Sequence, residues 1–272
     1  MRPNILITGG TGRLGRLVVS GFRSLGHDVR VLSRHSPPSE DGIEYVACDL
    51  RSGEGIEAAV DGAATIVHLA GGVKGDDVTT RNLAQAALRA GTQHLVYISV
   101  IGSDRVPVKS ATDRMMFGYF ASKLAAERVV ADSGLPWTML RATQFHDAFL
   151  TTAQGMARLP VLPAPAGFQF QPIDEGEVAA RLVELALGKP AGLVPEMAGP
   201  RVYTMADLLR AYLHASGRHR LIVPVPTMGN AARAVRDGAL LSPDRAVGRR
   251  TWEDFLAARL GSQARSISRE AA

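Results

Sequence analysis

Thr8-Gly9-Gly10-Thr11-Gly12-Arg13-Leu14-Gly15 decides the fold of this chain. The octet follows a short apolar run at residues 4–8 and opens a segment of helical period at 12–25. Strand, glycine turn and helix N-terminus in that order make an anion site. Gly9 permits the tight turn, Gly12 lets the backbone approach a pyrophosphate, and Gly15 lets the helix pack closely on the strand. The N–H groups of the first helical turn have no partners within the helix and face the anion. Gly9, Thr11, Gly12, Arg13, Leu14 and Gly15 are therefore the expected phosphate-binding set. Kept only for packing, the same glycines would carry no ligand.

The same rhythm continues outward from the turn. Apolar runs at 28–32, 43–48, 65–69, 94–99 and 137–140 alternate with helical segments at 55–60, 79–90 and 113–132, and Gly26, Gly62, Gly91 and Gly134 follow helices as stops. Strands alternating with helices predict an α/β, doubly wound parallel sheet of the Rossmann type. Past Arg141 the pattern loosens. Residues 159–172 hold Pro160, Pro163, Pro165 and Pro172 and predict an irregular loop or lid. Asp174-Glu175-Gly176-Glu177 and Thr204-Met205-Ala206-Asp207 have the form of capping boxes that open further helices, to about residues 187 and 216. A strand at 221–225, a helix at 251–260 and a frayed polar tail from Ser262 complete the reading. We expect a Rossmann dinucleotide-binding domain over 1–150 and a smaller α+β substrate region over 151–272, partly interwoven with it.

Composition narrows the class of protein. At 272 residues, 46% hydrophobic and 21% charged, the chain has the make-up of a folded globular protein. The single cysteine, Cys48, cannot form an intramolecular disulfide or a cysteine-based metal site, and the seven histidines have no metal-ligand spacing. No metal is expected. No apolar run approaches a membrane span and the N-terminus has no signal pattern, so a cytoplasmic protein without membrane contact is expected. The net charge of +5 is carried by 31 basic against 26 acidic residues scattered along the chain, which gives no reason to expect nucleic acid. A homodimer is the usual oligomer for such a protein.

Cofactor choice is set where the second strand ends. An acid there grips the ribose 2′-OH of NAD, whereas an arginine accommodates the 2′-phosphate of NADP. Here the strand runs into Ser33-Arg34 with no acid. Ser33, Arg34 and Arg13 can all meet a phosphate, so NADP (NADPH) is the expected cofactor. Read blandly, these arginines are solvated surface charges.

Several further motifs fall at the ends of the predicted strands. They are the glycine turn, Asp49-Leu50 after strand three, His68-Leu69-Ala70-Gly71 closing strand four, Tyr97-Ile98-Ser99 closing strand five, and Tyr119-x-x-x-Lys123 on the next helix. Together they resemble the short-chain dehydrogenase/reductase superfamily. The runs Trp137-Thr138-Met139-Leu140-Arg141 and Phe170-Gln171-Pro172-Ile173-Asp174 are similar to its atypical, NmrA-like NAD(P)-binding branch, and the likeness covers nearly the whole chain. The resemblance implies that Asp49 and Leu50 flank an adenine. It also implies that Leu69, Ala70 and Gly71 lie along the pyrophosphate and ribose, and that Lys123 holds the nicotinamide ribose. Asn82 sits on the helix after strand four, as in the family. The branch includes both reductases and proteins that only sense the dinucleotide.

Tyr119 and Lys123, four residues apart on a helix, share a face. An ammonium beside a phenol favours the phenolate, so Lys123 is expected to lower the Tyr119 pKa and suit it to acid–base work. Ser99 is the third catalytic candidate. Family members with full machinery place a hydroxyl two residues beyond that serine, and this chain has Ile101 there. Phe117, Gln144, Phe145, His146 and Phe149 are the candidate substrate contacts, and core packing is the competing role for each. Two functions stay open. One is an NADPH-dependent reductase of an apolar carbonyl, quinone or activated double bond. The other is a non-catalytic NADP(H)-sensing regulatory protein.

Overall fold

The computed structural model describes residues 4–34, 41–72 and 75–270, with side chains to residue 261. In chain order the elements are β1 (Ile5–Thr8), α1 (Arg13–Ser24), β2 (Val29–Ser33), β3 (Ile43–Ala47), α2 (Ile56–Val60), β4 (Thr65–His68), α3 (Asp76–Arg89), β5 (His94–Val100), α4 (Ala111–Ala131) and β6 (Trp137–Ala142). They continue through α5 (His146–Met156), β7 (Val161–Pro165), β8 (Gln169–Phe170), α6 (Glu175–Leu187), β9 (Gly192–Leu193), β10 (Tyr203–Thr204), α7 (Met205–Ala215), β11 (Leu221–Val225), α8 (Asn230–Arg236) and α9 (Trp252–Glu270).

The chain divides into two compact units. The first comprises Met1–Asp104, Val108–Arg141 and Glu175–Glu196. It holds a seven-stranded parallel sheet in the order β3-β2-β1-β4-β5-β6-β9. The doubly wound expectation is met. Strand order reverses between β1 and β4, and such a switch point opens a crevice at the carboxyl ends of the strands. All seven residues of β5 are buried, as befits a strand covered on both faces. Leu6, Ile66, Leu95, Tyr97 and Met139 form one core with Leu83, Ala87, Ala126 and Val130 of α3 and α4. On α1, a Cβ at Gly21 would stand 2.9 Å from Val183 of α6, so these two helices cross closely enough to require a glycine.

The second unit comprises Arg105–Pro107, Ala142–Asp174 and Met197–Ala272. It corrects the loop expected at 159–172, because β7 pairs in parallel with β11 and β8 pairs antiparallel with β10. The prolines tolerate this arrangement by their parity. Ala166 N–H donates to Val225 O, which places the even residues of the β7 segment toward β11 and leaves Pro163 and Pro165 on the opposite edge, where no ladder donor is needed. The Thr204–Asp207 capping box forms as read: Thr204 Oγ1 accepts from Asp207 N and Asp207 Oδ2 accepts from Thr204 N. Helix α9 extends to Glu270, ten residues past the expected end, so the expected frayed tail is corrected to helix.

Candidate functional site

The glycine turn has the geometry that the sequence demands. Gly9 takes φ +69°, and a Cβ on it would stand 2.7 Å from Ala70 N. A Cβ on Gly15 would stand 2.1 Å from Gly9 O, and one on Gly10 would stand 2.7 Å from Val31 Cγ1. Gly12 N–H donates to Gly9 O, which closes the turn, and the first bond of α1 runs from Arg16 N to Gly12 O. The N–H groups of Arg13, Leu14 and Gly15 thus precede the helical ladder. The helix N-terminus has no side-chain cap and no acidic residue in its first turn. Its partial positive charge is left for an outside anion.

In front of this turn lies a groove of about 460 Å³. Of the expected cofactor residues, Gly9, Thr11, Gly12, Ser33, Arg34, Asp49, Leu50, Leu69, Ala70 and Gly71 line it. Arg13, Leu14 and Gly15 belong to the turn and helix without lining the groove, and Lys123 is buried. Asn82 acts at one remove: its Nδ2 donates to Leu50 O at 2.9 Å and to Arg51 O at 3.3 Å, which holds the loop after β3 in place. Asp49 Oδ1 accepts from Arg51 N and stiffens the same loop. Cys48 also lines the groove, but burial and then Asp49 push its thiol up to about 11, far from nucleophilic service.

One hydroxyl fixes the far wall of the turn. Thr8 Oγ1 accepts from Leu69 N and Ala70 N, so its own proton goes to His68 Nδ1, 2.6 Å away. His68 must then carry its proton on Nε2, which meets Thr80 Oγ1 at 3.1 Å. Burial, and then Lys123, hold the His68 pKa down at about 3, so this imidazole is a neutral structural link.

The Tyr119–Lys123 expectation needs correction. Lys123 Nζ donates to Tyr97 Oη at 2.9 Å and to Ile98 O at 3.0 Å, and it lies 3.5 Å from Asp76 Oδ2. No hydrogen bond joins it to Tyr119. The Tyr119 phenol is accordingly pushed up to about 12 rather than lowered, first by desolvation and then by the Asp76 carboxylate. Tyr119 remains over one third exposed, at 38%.

Asp76 is the residue that sequence reasoning missed. It is buried, accepts from Gly72 N through Oδ1 at 2.5 Å, leaves Oδ2 without a hydrogen bond, and lines the groove. A Cβ on Gly71 would come within 3.2 Å of Asp76 Oδ2 and 3.5 Å of Lys123 Nζ, so a glycine is what leaves this pair open to the groove. The available signal was an acid in the first turn of a helix just after the fourth strand.

Ser99 is also placed differently from expectation. Its hydroxyl donates to Glu127 Oε1 at 2.5 Å, and Ser103 donates to the same oxygen at 2.9 Å. Arg141 forks onto both Glu127 oxygens, at 2.9 and 2.6 Å, and reaches Asp104 at 2.7 Å. Ser99 is therefore tied into a buried ion-pair network, and Ile101 is fully buried in the core.

Among the substrate candidates, Phe117 is buried in the first unit. The others lie in the second unit. Phe145 bridges to Ile173 and caps α5, while Phe149 packs edge-on against Phe170 with ring centroids 5.1 Å apart. His146 stacks on Phe255 at 5.1 Å, and desolvation is the main cause that lowers its pKa to about 4. Both His146 nitrogens and both amide atoms of Gln144 are buried without hydrogen-bond partners among the described residues. Leaving such groups unanswered costs about 1–3 kcal/mol each, so they are the polar atoms in this unit best placed to gain from a ligand or water. No group of three or more His, Cys, Asp or Glu among the described residues could hold a metal ion, and no helix there is long and apolar enough to cross a membrane.

Comparison with known proteins now decides the family. A family profile described as NAD(P)H-binding matches residues 9–187. The chain belongs to this NAD(P)H-binding family. The expected NAD(P)-binding Rossmann fold holds with it. An uncharacterized protein of Mycobacterium tuberculosis is 30% identical over 190 residues, which cover 67% of this chain and 20% of that protein. The chain thus spans about one fifth of that relative's length. The ceramide reductase of Caulobacter vibrioides is 27% identical over 248 residues, 84% of this chain and 75% of that one. Among solved structures, an NADPH-dependent quinone oxidoreductase of Escherichia coli complexed with NADPH superposes with a TM-score of 0.77 at 19% identity. It covers 94% of this chain and 99% of its own, a likeness of fold.

Proposed function

We propose that this family member is an NADPH-dependent reductase of an apolar carbonyl, quinone or activated double bond. The observation that carries the reading is the cluster at the groove, where the buried Asp76–Lys123 pair opens past Gly71 and Tyr119 lies within the electrostatic reach of Asp76. The glycine cradle fits a pyrophosphate, because the turn closes so tightly that a Cβ at Gly9 or Gly15 would collide with its neighbouring backbone, and the α1 N-terminus behind it has neither a side-chain cap nor an acid in its first turn. Gly9, Thr11 and Gly12 would hold that pyrophosphate. Ser33 and Arg34 would take the 2′-phosphate, Asp49 and Leu50 the adenine side, and Asp76 with Lys123 the nicotinamide ribose. Bound NADPH supplies a hydride.

Tyr119 would then supply the proton. A phenol whose pKa lies near 12 stays protonated across the physiological range, so it suits donation to a developing alkoxide better than abstraction from an alcohol. Lys123 acts through Asp76 and Tyr97 and so positions the site. Within the second unit taken by itself, Gln144, whose amide atoms are unanswered, is a proposed polar ligand contact and Phe149 an apolar one.

The test is loss of NADPH absorbance across a panel of quinones and carbonyls, with Tyr119→Phe alongside wild type. Loss of a general acid lowers kcat by about 10²–10⁴-fold. Identical turnover by both proteins removes Tyr119 from the chemistry. One observation favours a second reading, that of an NADP(H) sensor: the hydroxyls of Ser99 and Ser103 are both committed to Glu127, and Ile101 offers none. Tight NADPH binding without turnover of any panel member would select that reading.

A further inference from the structure

Independently of the redox reading, we infer that the exposed face of the β7/β11 sheet is a docking surface for an anionic lipid membrane. The register pairs Val161 with Leu221, Pro163 with Val223 and Pro165 with Val225, so these side chains share one face. Val161, Leu221, Val223 and Val225 are all exposed there, while Leu162 and Ala164 are buried beneath the other face. Leu159 precedes β7 and is 47% exposed, and Met228 follows β11 and is 89% exposed, which extends the apolar strip at both ends.

Arginines gather at the end of this strip where β7 and β11 begin, without answering acids. Arg158, His219 and Arg220 line an open hollow of about 740 Å³ with Pro160 and Leu221, and Arg218 stands exposed beside them. Neither 148–173 nor 208–236 contains a single Asp or Glu. Arg158, Arg218 and Arg220 make no ion pair among the described residues. An apolar strip edged by arginines is the pattern of interfacial attachment. The apolar side chains enter the boundary between headgroups and acyl chains, and the guanidinium groups meet anionic headgroups. The sequence reading expected no membrane contact because no apolar run is long enough to span. An interfacial face needs no span.

Other occupants fit the surface less well. Strand addition is blocked on both outer edges, by Pro163 and Pro165 on β7 and by Pro224 on β11, because proline lacks the ladder N–H. A second copy seated on the same face would bring the arginine clusters of both copies to one interface, with no carboxylate in either segment to offset them.

The experiment is co-sedimentation of the full chain with vesicles of phosphatidylcholine alone or mixed with phosphatidylglycerol, at low and high salt. The proposal expects sedimentation only with the anionic vesicles, weakened by salt. Replacement of Arg158, Arg218 and Arg220 by glutamine should weaken partition by about fivefold per arginine. Leu221→Ser with Met228→Ser should weaken it while keeping its salt dependence. The far-ultraviolet circular dichroism and thermal-unfolding midpoint of each variant serve as the check on folding. Three results would overturn the proposal: no sedimentation with either vesicle, equal sedimentation with both, or self-association abolished by Leu221→Ser with Met228→Ser while vesicles are ignored. The last would assign the face to a second copy.

Discussion

Lys123 Nζ stands 2.9 Å from the Tyr97 hydroxyl oxygen and 3.5 Å from Asp76 Oδ2, and all three side chains are buried. The amine thus serves a buried carboxylate and an internal phenol. Lys123→Met leaves the Asp76 charge buried and uncompensated, and loss of one partner of such a pair costs about 3–5 kcal/mol. Urea unfolding should show that loss, and adding Asp76→Asn should restore a good part of it. If the double variant is as unstable as the single one, the two groups are not coupled.

Glu127 joins Ser99, Ser103 and Arg141 in one network. Ser99→Ala should therefore act on stability, by about 1 kcal/mol for a lost buried hydrogen bond, and should leave turnover nearly intact. Glu127→Ala leaves Arg141 with Asp104 alone and takes the acceptor from both serines, and should cost about 3 kcal/mol. Denaturant midpoints measured beside kcat separate the two roles. A collapse of kcat in Ser99→Ala at unchanged stability would return Ser99 to the chemistry.

His146 and His68 are held neutral, with pKa lowered to about 4 and about 3. An unfolded histidine titrates near 6.5, so between that value and about 4 the unfolded chain binds more protons than the folded one. Stability is then fully present above about pH 6.5 and falls as pH drops toward 4. For His146 alone the difference is about 3 kcal/mol. His146→Phe should flatten the acid limb of a thermal-unfolding profile between pH 4 and pH 7 relative to wild type. Superimposable profiles would contradict this assignment.

The parallel sheet was legible because each strand is a short apolar run closed by a turn, and glycines punctuate the helices. The groove was legible for a related reason: backbone approach demands glycine, and the close contacts at Gly9 and Gly15 show that demand. What the sequence hid lies in side-chain pairing across elements. Spacing put Lys123 on the same helix face as Tyr119, but only the packing of α4 on β5 and α3 turns its amine to Tyr97 and Asp76. Strand β7 was hidden by its own prolines, whose harmlessness depends on which edge they occupy. Asp76 gave only the weak mark of an acid at a helix start.

The central claim is that the glycine-turn groove binds NADP(H), with Arg34 on the 2′-phosphate. Calorimetric titration of NADPH and NADH into wild type and Arg34→Ala tests it most directly. The account predicts that wild type binds NADPH at least tenfold more tightly than NADH, a difference of about 1.4 kcal/mol, and that the variant loses this preference while still binding both. Equal affinity of wild type for the two cofactors, or a preference that survives in Arg34→Ala, would contradict it.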